Sequence, residues 1–109
     1  MSSKIKKHAA MLKYLANTAS PSTCKSFINT ANKELIDVLC ECGLNILNGN
    51  VHLTANQRKQ LNRHKNNLRC VTSKKTTLKK KKNLLQKGGF LKALLAPILG
   101  VVGSLLGSI

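Results

Sequence analysis

Positive charge is concentrated in the middle of this sequence, in residue types that suit binding to phosphate. Twelve of the 19 lysines and arginines lie within residues 49–89, a stretch that contains no Asp or Glu. Basic side chains that neutralise phosphates release counterions, and this release drives binding to nucleic acid. The candidate nucleic-acid-binding residues are Arg58, Lys59, Arg63, Lys65, Arg69, Lys74, Lys75, Lys79, Lys80, Lys81, Lys82 and Lys87.

Lysine is far more common than arginine in this set, which bears on how the chain would recognise DNA. Residues 74–82 alone hold six lysines and no arginine. Planar, bidentate readout of bases is chiefly a property of Arg, Asn and Gln, whereas lysine acts as a point charge. We therefore expect sequence-independent binding to the DNA phosphate backbone. The alternative interpretation of the same run is a solubilising or nuclear-import segment.

The cysteine and histidine residues do not form a recognisable catalytic or metal-binding pattern. Cys40 and Cys42 are separated by one residue, so on a helix of ~3.6 residues per turn their thiols point about 200° apart, unlike a zinc knuckle. The three histidines are scattered and are expected at the surface or at helix ends. We predict neither metal nor cofactor, reduced thiols, and no enzymatic activity. The N-terminal residues lack a signal-peptide pattern, and this indicates that the protein is not secreted.

Composition narrows the class of protein further. The chain has 109 residues, a formal net charge of +16 and 42% hydrophobic residues. That hydrophobic fraction is too high for a wholly disordered basic tail. Aromatic residues make up only 3% and Trp is absent, which argues against stacking platforms of the RRM or OB type. The length allows one small domain, and we predict an all-α fold.

Hydrophobic periodicity predicts three helices in the first two thirds of the chain. The first covers about residues 3–17, and Pro21 favours a turn after it. The second starts at a cap on Ser22 or Thr23 and stops at Asn48-Gly49. The third covers about residues 55–71 and starts with a capping box formed by Thr54 and Gln57. The predicted helical mini-domain spans residues 1–72, with the second and third helices forming an antiparallel hairpin and the first covering its open side.

The three acidic residues fall on one side of the second predicted helix. Glu34, Asp37 and Glu41 are spaced at i, i+3 and i+7. One interpretation is a solvated polar face. The other is an acidic strip that holds the basic segments in place when nucleic acid is absent.

The last twenty residues form an apolar segment that contains proline and glycine. This hydrophobic tail, residues 90–109, follows the lysine-rich segment 73–89, and we expect it to lie outside the core. Three roles are open: a segment that seeks or transiently enters a membrane interface, a self-associating or capsid-docking tail, and a stable transmembrane anchor. The candidate membrane or docking residues are Phe90, Leu91, Leu94, Leu95, Pro97, Ile98 and Leu99.

The junction between the basic segment and the tail is a Gly-Gly pair. Gly88 can end the lysine-rich helix as its C′ residue. Gly88 and Gly89 also lack side chains that would clash in a protease cleft, so they are a candidate cleavage site. The two roles are compatible.

The order of these parts resembles a known family of viral proteins. The resemblance is carried by the run from Leu78 to Leu91, which includes Gly88-Gly89, and by Leu94 to Leu99. This architecture resembles the precursor of the adenovirus mu core peptide, and more closely the X-like proteins of adintoviruses and Maverick/Polinton elements. It covers roughly the last third of the chain. Residues 34–50 followed by Leu53-Thr54 are similar to the Polinton-type members only.

The resemblance implies a DNA-associated minor virion protein that a viral cysteine protease matures after the Gly-Gly pair. The implied location is the virion core or the host nucleus. On this interpretation the lysines condense the genome and the tail docks to capsid proteins, to a membrane or to a second copy. The alternative function is a membrane-active or membrane-anchored cationic protein, with the basic residues on anionic headgroups and residues 90–109 in the bilayer.

Overall fold

The predicted all-α fold is confirmed by a computed structural model of the chain. The structure describes the backbone of residues 6–17, 20–87 and 89–107, with all side chains in these ranges except those of residues 17, 21 and 99–107. Seven α-helices and no strands lie in this part of the chain. The helices are α1 (Ala9–Asn17), α2 (Pro21–Thr30), α3 (Lys33–Leu47), α4 (Ala55–Arg63), α5 (Lys65–Thr72), α6 (Leu78–Leu85) and α7 (Phe90–Gly107).

The prediction of a single helix from Ser22 to Asn48 is wrong, because the helix is interrupted at residues 31 and 32. Ala31 and Asn32 adopt extended backbone conformations, and the Asn32 side chain accepts a hydrogen bond from the Leu35 amide at 2.9 Å. An Asn side chain offers the backbone an alternative to helical hydrogen bonding, so it begins α3 instead of continuing α2.

The predicted start of α2 is also corrected. Ser20, and not Ser22 or Thr23, is the N-cap, and its hydroxyl accepts from the Thr23 amide at 3.2 Å. Pro21 is therefore a helix-starting residue, since proline has no N–H to leave unsatisfied in the first turn.

The predicted start of α4 and end of α3 are confirmed. The Thr54 hydroxyl accepts from the Gln57 amide at 3.1 Å, and the Gln57 side chain accepts from the Thr54 amide at 3.0 Å. Gly49, with φ of 75°, occupies the left-handed conformation that ends α3. The third predicted helix, however, is divided at His64, whose φ of −111° and ψ of 19° separate α4 from α5.

One hydrophobic core joins segments that differ sharply in charge. α1 and α7 pack closely against each other, although they lie near opposite ends of the chain, and α7 also contacts α3, α4 and α6. The second predicted helix was expected to pack against the third. In the structure this contact is made by α3 and α5, where α5 is the second half of the third predicted helix. Every buried side chain among the described residues is apolar or a thiol.

Gly43 allows α3 and α5 to approach closely. A Cβ at this position would lie 2.8 Å from Thr72 Cγ2 and 3.1 Å from Leu68 Cδ1, both on α5. The Thr72 hydroxyl donates to the carbonyl of Leu68 at 2.9 Å, which restricts rotation of this side chain. The close contact fixes α5, and the basic residues it carries, against the centre of the fold.

Candidate nucleic-acid interface

The twelve predicted phosphate-binding residues lie on three consecutive helices and the loop between two of them. α4 and α5 pack against each other, and α5 packs against α6. α4 carries Arg58, Lys59 and Arg63; α5 carries Lys65 and Arg69; the following loop carries Lys74 and Lys75; α6 carries Lys79, Lys80, Lys81 and Lys82; and Lys87 follows α6. We call this set the basic surface.

Ten of these twelve side chains are exposed, and none forms an ion pair with a carboxylate of the described residues. Two of the three acidic side chains pair elsewhere. Glu34 lies 3.5 Å from Lys7 Nζ and 3.8 Å from His8 Nε2, and Asp37 lies 3.6 Å from Lys33 Nζ. Of the two interpretations of the acidic strip, these contacts favour the partly solvated face, because its ion pairs are with the N-terminal segment and with α3 itself. The charge of the basic surface is left uncompensated.

Two lysines of the basic surface also hold the fold together. Lys82 Nζ donates to the Asn29 carbonyl oxygen at 3.2 Å, near the C-terminus of α2, where carbonyls lack helical partners. Lys81 lies beside the buried Cys40 thiol. Both lysines are half-buried, so they contribute less accessible charge than the ten exposed residues do.

The loop before α6 is held in place by local hydrogen bonds. Thr76 Oγ1 donates to the Cys70 carbonyl at 2.6 Å, and the Lys75 amide donates to Ser73 Oγ at 3.3 Å. Thr77 caps α6, since its hydroxyl accepts from the Lys80 amide at 3.2 Å. These bonds tie Lys74 and Lys75 to the ends of α5 and α6.

α6 begins with lysines, where the helix dipole favours acidic residues. Lys79 and Lys80 occupy its first turn, and no acidic residue is present there. A cation at a helix N-terminus is unfavourable by roughly 0.3–1 kcal/mol, and a bound anion is favourable by a similar amount. A phosphate close to this turn would therefore relieve repulsion within the folded protein.

The expectation that the tail lies outside the core is wrong. Phe90, Leu91, Leu94, Leu95 and Ile98, all predicted as membrane or docking residues, are at most 5% exposed. Pro97, within α7, is also buried, and the Leu99 side chain lies outside the described residues. The apolar face of α7 contacts α1, α3 and α4, and these contacts leave no free apolar surface at the five positions. The described helices include none with the length and apolarity that crossing a bilayer requires.

The candidate cleavage site lies in a short connection between α6 and α7. Gln86 caps the end of α6, and Gly89, with φ of 80°, directly precedes α7. Gly88, predicted as the C′ residue, lies outside the described residues. Gly89 is exposed, but Phe90, the next residue, is completely buried.

Two features near this connection, a lysine-lined pocket and a ring contact, were not found by sequence reasoning. Lys25, Lys87 and Lys92 line a pocket of about 170 Å³ whose floor includes Leu85 and Leu91. These lysines come from α2, from the connection and from α7, and no spacing pattern links them. His64 and Phe90 are also in contact, with ring centroids 5.5 Å apart, which joins the break between α4 and α5 to the start of α7.

The four thiols differ in burial. Cys24, Cys40 and Cys42 are buried, whereas Cys70 is exposed. Burial raises the pKa of the Cys42 thiol to about 12, and it also raises the pKa of Cys40 against the opposing influence of Lys81. A thiol with a raised pKa is a poor nucleophile at neutral pH. Among the described residues, no three His, Cys, Asp or Glu side chains are grouped so as to hold a metal ion.

Comparison of this chain with protein-family models, with curated proteins and with solved structures gives no match.

Proposed function

We propose that this protein binds double-stranded DNA through phosphate contacts and condenses it, as a core protein of a virus-like element would. The observation that carries the proposal is the basic surface: twelve lysines and arginines on adjoining elements, ten of them exposed and none paired with a carboxylate of the described residues. Uncompensated charge of this density attracts a polyanion, and release of condensed counterions provides the free energy of binding.

The salt dependence of DNA affinity tests this proposal directly. If about six phosphates are neutralised, the plot of log K against log salt concentration has a slope near −5, because each phosphate contributes about −0.9. Affinity is measured by fluorescence anisotropy on a labelled duplex, using the full-length chain. A slope shallower than about −2 contradicts phosphate binding by the basic surface.

A charge-matched pair of variants shows where the DNA binds. Lys79→Ala/Lys80→Ala removes two exposed lysines of α6 and should reduce the slope by about 1.8. Lys6→Ala/Lys13→Ala removes two exposed lysines near the N-terminus, outside the basic surface, and should leave the slope nearly unchanged. Equal effects of the two variants would indicate that net charge alone, and not the basic surface, determines binding.

The membrane-active alternative requires a different conformation. Its apolar segment is α7, and the five large side chains from Phe90 to Ile98 are buried against the other helices. Insertion into a bilayer would first have to remove them from the core. No observation on the folded chain favours this alternative over DNA binding.

Cleavage after Gly89 by a viral cysteine protease, docking to capsid proteins, and location in the virion core or host nucleus belong to the same proposal. They rest on the resemblance of residues 78–99 to adenovirus-like core proteins. A protease cleft binds several residues on both sides of the cleaved bond in extended form, so the first turn of α7 would have to leave the core before cleavage. The mass of the intact chain recovered from particles tests this part, since cleavage gives a species that ends at Gly89.

A further inference from the structure

The arginines of this chain are separated from its lysine-rich run. All three arginines lie on α4 and α5, together with several Asn and Gln side chains, whereas the basic residues from 73 to 87 are lysines alone. Arg pairs with the O6 and N7 atoms of guanine, and Asn or Gln pairs with the N6 and N7 atoms of adenine. α4 and α5 are therefore richer in arginine than the chain as a whole.

Two exposed Arg and two exposed Asn side chains share one face of these two helices. Arg58, Asn62, Asn66 and Arg69 follow one another at intervals of four, four and three residues, and all four are exposed. This interval places them on successive turns of a single helical face. We call these four residues the Arg/Asn face.

The break at His64 does not rotate one half of this face away from the other. Leu61 on α4 and Leu68 on α5 are both buried, and they are seven residues apart, which is about two helical turns. Since the buried sides of the two helices remain in phase, the exposed face that flanks them does too. At the break itself the chain forms an open pocket of about 340 Å³, lined only by polar side chains that include Asn62 and Asn66.

The polar groups of the Arg/Asn face have no structural role within the described residues. The three arginines form no ion pair there, and the side-chain amides of Asn62 and Asn66 make no hydrogen bond. Other asparagines do: Asn32 caps α3, and Asn45 Nδ2 donates to the Glu41 carbonyl at 2.9 Å. The donors and acceptors of the Arg/Asn face are thus available to a ligand.

We propose that α4 and α5 enter the major groove of duplex DNA and that the Arg/Asn face reads base edges there. An α-helix about 10–12 Å in diameter fits the major groove, which is about 12 Å wide. The lysines that follow on the loop and on α6 would contact the flanking phosphates and fix the register. This inference rests on the proposed function: the lysines supply affinity for any sequence, and the Arg/Asn face adds a preference for steps that contain guanine and adenine.

Selection from a library of randomised duplexes tests the inference with the full-length protein. Bound and unbound duplexes are sequenced after incubation at a salt concentration high enough to weaken non-specific binding. Wild type should enrich motifs that combine G·C and A·T pairs, since the arginines would contact guanine and the asparagines adenine. Asn62→Ala/Asn66→Ala should lower the enrichment by at least about fivefold, because each good bidentate pair discriminates by about that factor or more. Its salt slope should not change, since no charge is lost.

Two further variants provide controls for this experiment. Asn83→Ala removes an exposed amide from α6, outside the Arg/Asn face, and should keep the full enrichment. Arg58→Lys keeps the charge but removes the planar fork, so it should reduce selection for guanine. Alanine has a higher helix propensity than asparagine, so these alanine variants are expected to fold, and circular dichroism verifies it.

The outcomes separate this inference from the proposed function. If no duplex is bound in a salt-dependent way, the proposed function fails. If wild type binds with a steep slope but enriches no motif, or if Asn62→Ala/Asn66→Ala retains full enrichment, only the inference is overturned. Tighter binding of duplex RNA than of duplex DNA would also overturn it, because side chains cannot reach the bases in the narrow major groove of A-form RNA.

Discussion

A chain that ends at Gly89 lacks α7, and with it five large side chains of the hydrophobic core. Phe90, Leu91, Leu94, Leu95 and Ile98 are each at most 5% exposed in the folded protein. Burial of a side chain of this size contributes about 1.5–3 kcal/mol, so their removal withdraws about 8–15 kcal/mol. Single domains are stable by only about 5–15 kcal/mol in total. We therefore predict that residues 1–89 do not fold independently.

Urea unfolding followed by circular dichroism measures this effect. The full chain should show a cooperative transition, and the 1–89 chain should show low helicity and no transition. A chain that ends at Ile98 is the matched control, since it retains all five buried side chains and should still unfold cooperatively. If the 1–89 chain unfolds cooperatively within about 1 kcal/mol of the full chain, the inferred contribution of α7 is refuted.

This prediction changes how DNA binding by a shortened chain should be interpreted. Loss of affinity in residues 1–89 could follow from unfolding of α4 and α5 alone, without any contact between the tail and DNA. Substitutions in the full-length chain, such as those in α6, separate the two causes because they remove charge and leave the core intact.

Two further predictions concern packing and titration in the core. Gly43→Ala should destabilise the protein by about 1 kcal/mol in urea, because overpacking against Thr72 costs about 1–3 kcal/mol and the gain in helix propensity returns about 1 kcal/mol. A Thr72→Ser background lacks the Cγ2 atom that would lie 2.8 Å from the added methyl group, so there the same change should be neutral or stabilising. An equal loss of stability in both backgrounds would refute the packing argument. Burial raises the pKa of Cys42 from 9.0 to about 12. Between these two values the thiol stays protonated in the folded protein but loses its proton in the unfolded chain. The free energy of unfolding should therefore fall as pH rises above 9.0, by up to about 1.4 kcal/mol per pH unit. Cys42→Val should weaken this fall between about pH 9 and pH 10, as measured by urea unfolding, and a fall of the same steepness in the variant would contradict the assignment.

Local signals in the sequence were sufficient where a side chain bonds to its own neighbouring backbone. The capping box of Thr54 and Gln57 and the left-handed Gly49 are formed as predicted, because both depend on residues only a few positions apart. The break at Asn32 has the same local origin, but there a continuous apolar stripe from Phe27 to Ile46 favoured one long helix. The Asn32 cap decided the boundary against that stripe.

The position of α7 could not be derived from the sequence in this way. An apolar helix can be buried in lipid or in protein, and its composition is the same in both cases. The two cases differ only in the surface that the helix packs against. Here α7 packs most closely against α1, about eighty residues away along the chain. The basic residues were easier to find, since their lack of acidic neighbours is visible in the sequence. The alignment of Arg58 with Asn62, Asn66 and Arg69 across His64 needed the observed burial of Leu61 and Leu68.

The packing of α1 against α7 also determines when the protein can fold during its synthesis. α1 leaves the ribosome early, whereas its partner α7 is made about eighty residues later. Contacts between segments so far apart in sequence form late and close a long loop. The nascent chain must therefore expose its lysine-rich segment before the core is complete, in the vicinity of ribosomal RNA. The core is therefore expected to form only after α7 has been synthesised.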